Sequence, residues 1–313
     1  MNDLYLGIDT SNYTTSLAIV DRSGRIIEDR RKSLVVEKGK KGLRQQEALF
    51  QHIKNLPQLV EEISTDLSQI NAIGVSTRPR NVEGSYMPVF LAGENAGRIL
   101  SKSLKIPMKR FSHQEGHIGT CLLENYADED FLSIHLSGGT TETVITHNTK
   151  ENLLTEVVGG SLDISMGQLI DRVGVHLGLN FPCGMELDGM SRKGKLINLK
   201  AKPEIRDGWI NLSGYENLFK GLLDDGSHLR EDVIYTLFHT LGGIIAELIK
   251  YEKKKHQVDR FYLVGGVSAN TIIRKRLSEE KMDLEVSFPQ GSLSTDNAVG
   301  VAYLAAWKKG WEE

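Results

Sequence analysis

The sequence predicts an α/β fold built twice, and three observations predict it. Residues 4–33 read strand, turn, strand, turn, strand, and residues 131–159 repeat that reading. Each repeat then runs on into helical patterns separated by short apolar strands. Several of the strands end in small, glycine- and hydroxyl-rich turns.

The elements follow in order. LYLGI (4–8) is short and apolar, and TTSLAIV (14–20) is rich in β-branched residues. DRSG (21–24) is a turn, and RIIEDRRKSLV can form a third strand. Leu49, Ile53, Leu56, Leu59, Val60 and Ile63 recur at helical spacing across 43–64, where Pro57 could kink or split the helix. INAIGVS (70–76) reads as a buried strand, 89–104 as a helix and PMKRF as a short strand. After the second repeat come helices near 165–178, 184–193 and 229–252. The strand RFYLVGG, a helix near 269–280, the strand LEVSF and a last helix near 296–309 complete the chain. The expected division is a first lobe at 1–112 and a second at 113–313, with a polar, loop-rich insertion near 192–230.

The chain has 313 residues, 25% charged and 40% hydrophobic, with a formal net charge of −3. That is an ordinary globular composition without a strong basic bias, so nucleic-acid contact must come from a local patch. Two cysteines, Cys121 and Cys183, build no disulfide framework and fit a reducing compartment. Both read as structural, since neither is bracketed by a plausible base. The first residues, MNDLYLGIDTSNYTT, lack a basic segment followed by an apolar run. No stretch approaches the roughly 20 apolar residues of a membrane span. The expectation is a cytoplasmic protein with no membrane partner.

Three turns lie at the carboxyl ends of predicted strands: DTSNYT (9–14), SGGTT (137–141) and GGVSAN (265–270). That is where α/β sheets bind ligands. Glycines there let backbone N–H groups approach a phosphate closely. Three such turns in a duplicated α/β chain are the arrangement of the actin-like ATPase/sugar kinase (ribonuclease H-like) fold, two lobes around a nucleotide cleft.

RFSHQEGHIG (110–119) carries His113 and His117 four residues apart. On a helix that spacing puts both on one face, Cβ atoms roughly 5–6 Å apart, suited to one metal ion. A metalloprotease needs the glutamate directly after the first histidine. Here Glu115 is two residues on, turned by about 200° from His113. Two histidines leave a coordination sphere open, so a carboxylate from elsewhere is expected.

The whole set resembles the TsaD family, the tRNA adenosine threonylcarbamoyltransferases once labelled sialoglycoprotein endopeptidases. SHQEGHI, LSGGTTETVI, GGSLDISMGQLIDRVGVHLGLNFPCGMELDGMS, INLSGYENL, YLVGGVSAN and STDNAVGVA carry the resemblance in order over essentially the entire chain. The resemblance implies one divalent metal ion, iron or zinc, on His113, His117 and Asp296. It implies threonylcarbamoyl-adenylate or an ATP-like ligand at Leu136, Ser137, Gly138, Gly139, Thr140, Asp171, Gly184, Asp188 and Asn270. The implied reaction passes the threonylcarbamoyl group to the adenosine beside the anticodon of tRNA. Implied partners are tRNA, a smaller inactive family relative (TsaB-like) and a small ATPase (TsaE-like). The basic runs 30–44 and 191–206 are the candidate tRNA surface.

The chain also departs from the family. Where the family reads E-T-S-C-D-E-T, this turn reads DTSNYTTS, without the acidic pair and with Asn12 and Tyr13 in it. The family's glycine loop is here RPRNVEGSYMPVFLAG, with Arg78 and Arg80 in place of glycines, and the histidine of SGGHT is Thr140. Two further readings follow. One is a divergent paralogue that binds metal and nucleotide but performs another carbamoyl transfer or a scaffold role. The other is a plain actin-like ATPase or sugar kinase, which has no need of His113, His117 and Asp296 together.

Overall fold

A computed structural model describes residues 3–11, 13–36, 42–199, 203–280 and 282–310. The first sheet is made from β1 (Leu4–Asp9), β2 (Thr14–Asp21), β3 (Ile26–Ser33), β4 (Ile70–Arg78) and β5 (Met108–Ser112). Its order is β3-β2-β1-β4-β5; the β1–β2 and β2–β3 pairs are antiparallel, and β4 and β5 add in parallel. The second sheet holds β6 (Phe131–Leu136), β7 (Thr141–Asn148), β8 (Leu153–Ser161), β9 (Trp209–Ile210), β10 (Arg260–Val264) and β11 (Glu285–Ser287). Its order, β9-β8-β7-β6-β10-β11, repeats the first with one short strand added at the edge. The duplication is therefore topological.

Alternation along the strands sorts the side chains into layers. Leu4, Leu6 and Ile8 face α1 (Gln45–Glu61) and α2 (Phe90–Leu104), while Tyr5 faces the other way. Likewise Leu132, Ile134 and Leu136 face the second lobe's helices, and Phe131 faces inward. Between the two sheets lie α3 (His113–Glu124) and α9 (Val299–Trp307), packed on each other. The final helix, counted above with the second lobe, thus lies against β1, β2 and β4 of the first sheet. Gly300 makes its contact with α3 possible: a Cβ there would stand 1.8 Å from the Gly116 carbonyl oxygen.

The outer helices of the second lobe are α4 (Met166–His176), α5 (Gly184–Ser191), α6 (Ser213–Asp225), α7 (Arg230–His256) and α8 (Thr271–Glu279). Three sequence expectations change. Pro57 does not split α1, which runs unbroken from Gln45 to Glu61: it sits on the exposed face, where water can take the carbonyl its ring leaves unbonded. The insertion near 192–230 holds a helix, α6. The Asp163 carboxylate accepts the N–H groups of Leu212 and Ser213 at its start, and Phe219 is buried against the core. Tyr215, Phe219, Leu222 and Leu223 form the docking stripe of α6, which the polar, lysine-containing sequence around it obscures. Last, α7 is long and apolar enough to pass for a membrane span, but two thirds of that stretch is buried inside the protein.

One buried carboxyl in α7 makes stability pH-dependent. Glu252 is fully buried, and His256 Nε2 stands 3.2 Å away without hydrogen-bonding geometry, so both carboxyl oxygens lack a hydrogen-bond partner among the described residues. Burial pushes Glu252 up to about 7, against the pull of Lys255. The folded chain holds this proton where the unfolded chain has released it. Stability therefore falls as pH rises from the ordinary glutamate range through about 7. Glu252→Gln is expected to flatten that slope and to gain about 2 kcal/mol at pH 8. Denaturant unfolding at pH 5 and pH 8 checks it, and equal slopes for variant and parent would contradict it.

Candidate metal centre and nucleotide cleft

The metal candidates come from three elements. Ser112 ends β5 and caps α3: its hydroxyl accepts the Glu115 N–H at 3.1 Å, and Glu115 Oε2 accepts the Ser112 N–H at 2.7 Å. Glu115 is thus a helix cap and no catalytic base. With the helix so started, His113 and His117 occupy its first turns, Nε2 to Nε2 3.1 Å apart. Asp296, from the loop before α9, brings Oδ1 to 3.5 Å from both nitrogens. The three ligand atoms lie within 4.8 Å of one another.

Asp296 sits in irregular backbone, and side chains fix its neighbours. Asn297 Nδ2 donates to the Leu293 and Thr295 carbonyls, and Thr120 of α3 donates to Asn297 Oδ1. Arg31 of β3, itself gripped by Asp29, donates to the Ser292 carbonyl and the Thr295 hydroxyl.

Sequence reasoning left out Asp9. It ends β1, is 1% exposed, and its Oδ2 lies 3.0 Å from His113 Nδ1. It also accepts from Ser76 and from the Ser11 hydroxyl and N–H. A carboxylate on Nδ1 fixes the tautomer and leaves Nε2 its lone pair for a ligand bond. The available signal was an acidic residue closing a fully buried strand.

The electrostatics agree. Burial alone would lower His113, but the Asp9 and Asp296 carboxylates outweigh it and push the imidazole up to about 10. Asp296 is held far below the usual carboxylate range: burial opposes this, and hydrogen bonds to His113 and His117 win. The carboxylates thus draw positive charge to this spot. His135 on β6, its ring 6.0 Å from that of His117, is pushed well down by burial and by the two neighbouring imidazoles.

The nucleotide candidates form one connected wall. In the turn after Leu136 the Ser137 hydroxyl accepts the N–H groups of Gly139 and Thr140, and the Thr140 hydroxyl closes on Ser137 at 3.2 Å. Gly167, at the start of α4, donates to the Ser137 carbonyl. Further along α4, Asp171 Oδ1 accepts the Cys183 N–H at 2.8 Å, which sets Gly184 and the start of α5. Asp188 Oδ1 accepts from Asn270 Nδ2 and from the Thr271 N–H and hydroxyl, while Oδ2 faces Arg192. Asn270 also caps α8. Gly265, at φ 92°, lets the third turn pass against the Leu136 carbonyl.

The departures have visible partners. Tyr13 meets Phe181 of the second lobe edge-on at 5.8 Å. Arg80 reaches Glu142 of β7 at 2.6 Å. Asn12 lies outside the described residues, as do 37–41 and 200–202 in the two basic runs. Of the remaining arginines there, Arg30, Arg31, Arg192 and Arg206 are ion-paired, which reduces their call on phosphate.

Comparison with known proteins gives this geometry a family. The TsaD family, described as tRNA N6-adenosine threonylcarbamoyltransferase, matches residues 26–303. The chain belongs to the TsaD family. A tRNA N6-adenosine threonylcarbamoyltransferase of Sulfurihydrogenibium sp. is 29% identical over 306 residues, 95% of this chain and 88% of the relative. That of Fusobacterium nucleatum is 28% identical over 97% of this chain and 91% of its own. A probable bifunctional tRNA threonylcarbamoyladenosine biosynthesis protein of Methanothermobacter thermautotrophicus is 29% identical, with this chain spanning 55% of it. As a TsaD-family chain the protein is a transferase acting on tRNA adenosine, and not a protease.

Among solved structures, HypF of T. kodakarensis has a TM-score of 0.64 at 15% identity, covering 97% of this chain and 47% of HypF. Component A of the Acidaminococcus fermentans (R)-2-hydroxyglutaryl-CoA dehydratase has 0.57 at 13%, covering 97% and 98%. A ROK family glucokinase of Streptomyces griseus has 0.54 at 14%, covering 96% and 99%. These likenesses show the fold: actin-like ATPase/sugar kinase, as expected.

Proposed function

We propose that this TsaD-family chain transfers the threonylcarbamoyl group of threonylcarbamoyl-adenylate to N6 of the adenosine beside the anticodon, with one divalent ion held by His113, His117 and Asp296. The observation that carries this reading is the convergence of those three ligand atoms, with Asp9 orienting His113 from behind. Two nitrogens and one carboxylate oxygen suit iron or zinc and leave coordination positions for substrate. When bound, the ion supplies Lewis acidity that polarises the carbamoyl carbonyl.

The chain's own residues do the rest. The backbone of 136–140 receives the phosphate, and the free oxygen of Asp171 takes a ribose hydroxyl. Asp188, whose Oδ1 is occupied by Asn270 and Thr271, positions Asn270, while Asp171 sets the α5 start at Gly184 through the Cys183 N–H. The adenosine amine attacks the carbamoyl carbon, the bond to the adenylate phosphate breaks, AMP leaves, and the amine nitrogen releases one proton to solvent. No covalent enzyme intermediate is needed, and Cys121 and Cys183 are buried. The relatives favour this reading over a paralogue with another transfer or a sugar kinase. It further places the protein in the cytoplasm, working with a TsaB-like relative and a TsaE-like ATPase, and tRNA on the basic runs.

The test is mass spectrometry of tRNA incubated with the donor, partners and metal-loaded or chelator-stripped protein. Modified adenosine is expected only with the loaded protein. No product, where another TsaD-family member produces it, overturns the proposal.

A further inference from the structure

The Arg80–Glu142 bridge is the feature that transfer chemistry leaves unused. Arg80 lies in the loop after β4, and its neighbour Pro79 accepts the N–H of Gln114, the residue after His113. Its guanidinium crosses to Glu142, two residues after the Ser137–Thr140 turn, and Gln114 Nε2 approaches the other carboxyl oxygen at 3.4 Å. Arg80 therefore stands between the start of the metal-ligand helix and the phosphate-type turn. Its side chain is 42% exposed, while Glu142 is 12% exposed. The cation can leave this partner; the carboxyl is seated.

We propose that Arg80 reads the free carboxylate of the threonyl group, exchanging Glu142 for it when the donor binds. This rests on the transfer proposed above. A donor lying with its phosphate at 136–140 and its carbamoyl carbonyl at the metal ligands puts its threonyl portion in the span Arg80 occupies. That portion ends in a carboxylate, and a guanidinium recognises a carboxylate through two parallel N–H donors. Glu142 keeps the fork oriented until substrate arrives, and Gln114 steadies the vacated carboxyl.

Two donors separate this role from a plain bridge between lobes: threonylcarbamoyl-adenylate, and the same molecule with the carboxylate replaced by a primary amide. Binding to metal-loaded protein is measured by calorimetry, together with KM and kcat for transfer. Parent protein is expected to prefer the acid donor by about 10- to 100-fold, the range for a charge-assisted hydrogen-bond pair. Arg80→Ala is expected to lose that preference by raising KM for the acid donor alone, with metal content and kcat for the amide donor unchanged. Arg80→Lys recovers part of the preference, because it keeps the charge and loses the fork. An equal loss for both donors in Arg80→Ala shows a structural bridge and overturns the assignment. A parent that binds neither donor removes the transfer reading and the role of Arg80 with it.

Discussion

Asp296→Ala and His113→Ala are each expected to bind no divalent metal after dialysis and to transfer about a thousandfold more slowly or worse. Removing one of the three ligand candidates leaves only two groups, two imidazoles in Asp296→Ala or one imidazole and one carboxylate in His113→Ala, to hold an ion that should contribute several kcal/mol to the transition state. Neither substitution touches a core: both side chains are about 20% exposed and bond chiefly to each other, to His117 and to Asp9. The unfolding transition should therefore move little while metal analysis changes completely. Asp9→Asn makes a graded companion. It keeps all three ligand atoms and loses only the charge behind His113, so metal affinity should fall by about 10- to 100-fold without vanishing. Full metal occupancy in the alanine variants would refute the ligand assignment.

The second large effect is remote from any ligand atom. Gly300→Ala places a methyl group 1.8 Å from the Gly116 carbonyl oxygen and 2.6 Å from the Thr120 hydroxyl. Both partners belong to α3, and one is helix backbone that cannot rotate away. Helices α3 and α9 must separate, which should cost at least about 3 kcal/mol, the upper range of core overpacking. The same movement pulls His113 and His117 on α3 away from Asp296, just before α9. Metal affinity should thus fall together with thermal stability. Gly221→Ala is the control: it lies in α6 with open space around its Cβ, and should gain about 1 kcal/mol from helix propensity. A Gly300→Ala protein of parental stability would show that the two helices are not in obligatory contact.

Much of this was legible from local chemistry. Strand 14–20 is written in β-branched residues, and the repeat at 131–159 copies its pattern, so the duplicated topology could be read directly. The turn of about 200° between His113 and Glu115 already speaks against a protease, and the structure gives Glu115 other work as a cap. Local patterns did not reveal where α9 goes. A continuous apolar run such as VGVAYLAA says that a helix is buried on all sides, but not between which sheets. Asp9 was hidden for a related reason: a carboxylate is recognised as a positioning group only by what it touches, and His113 is 104 residues away. Arg80 read as a lost glycine, and only the fold shows which carboxylate it spans to meet.

The central layer also dictates when the protein becomes competent. Helix α3 is encoded just over a third of the way along the chain, yet its packing partner and the third ligand candidate come at residues 296–307 of 313. A chain still being synthesised has both sheets' strands available and both histidines in place, but neither the helix that covers α3 nor Asp296. The first sheet waits for α9, and the ligand candidates come together only once residues 296–307 have been made. A chain that stops before Asp296 therefore brings only two of the three ligand candidates together, so the order of the elements ties the closing of the proposed site to the packing of α9 on α3.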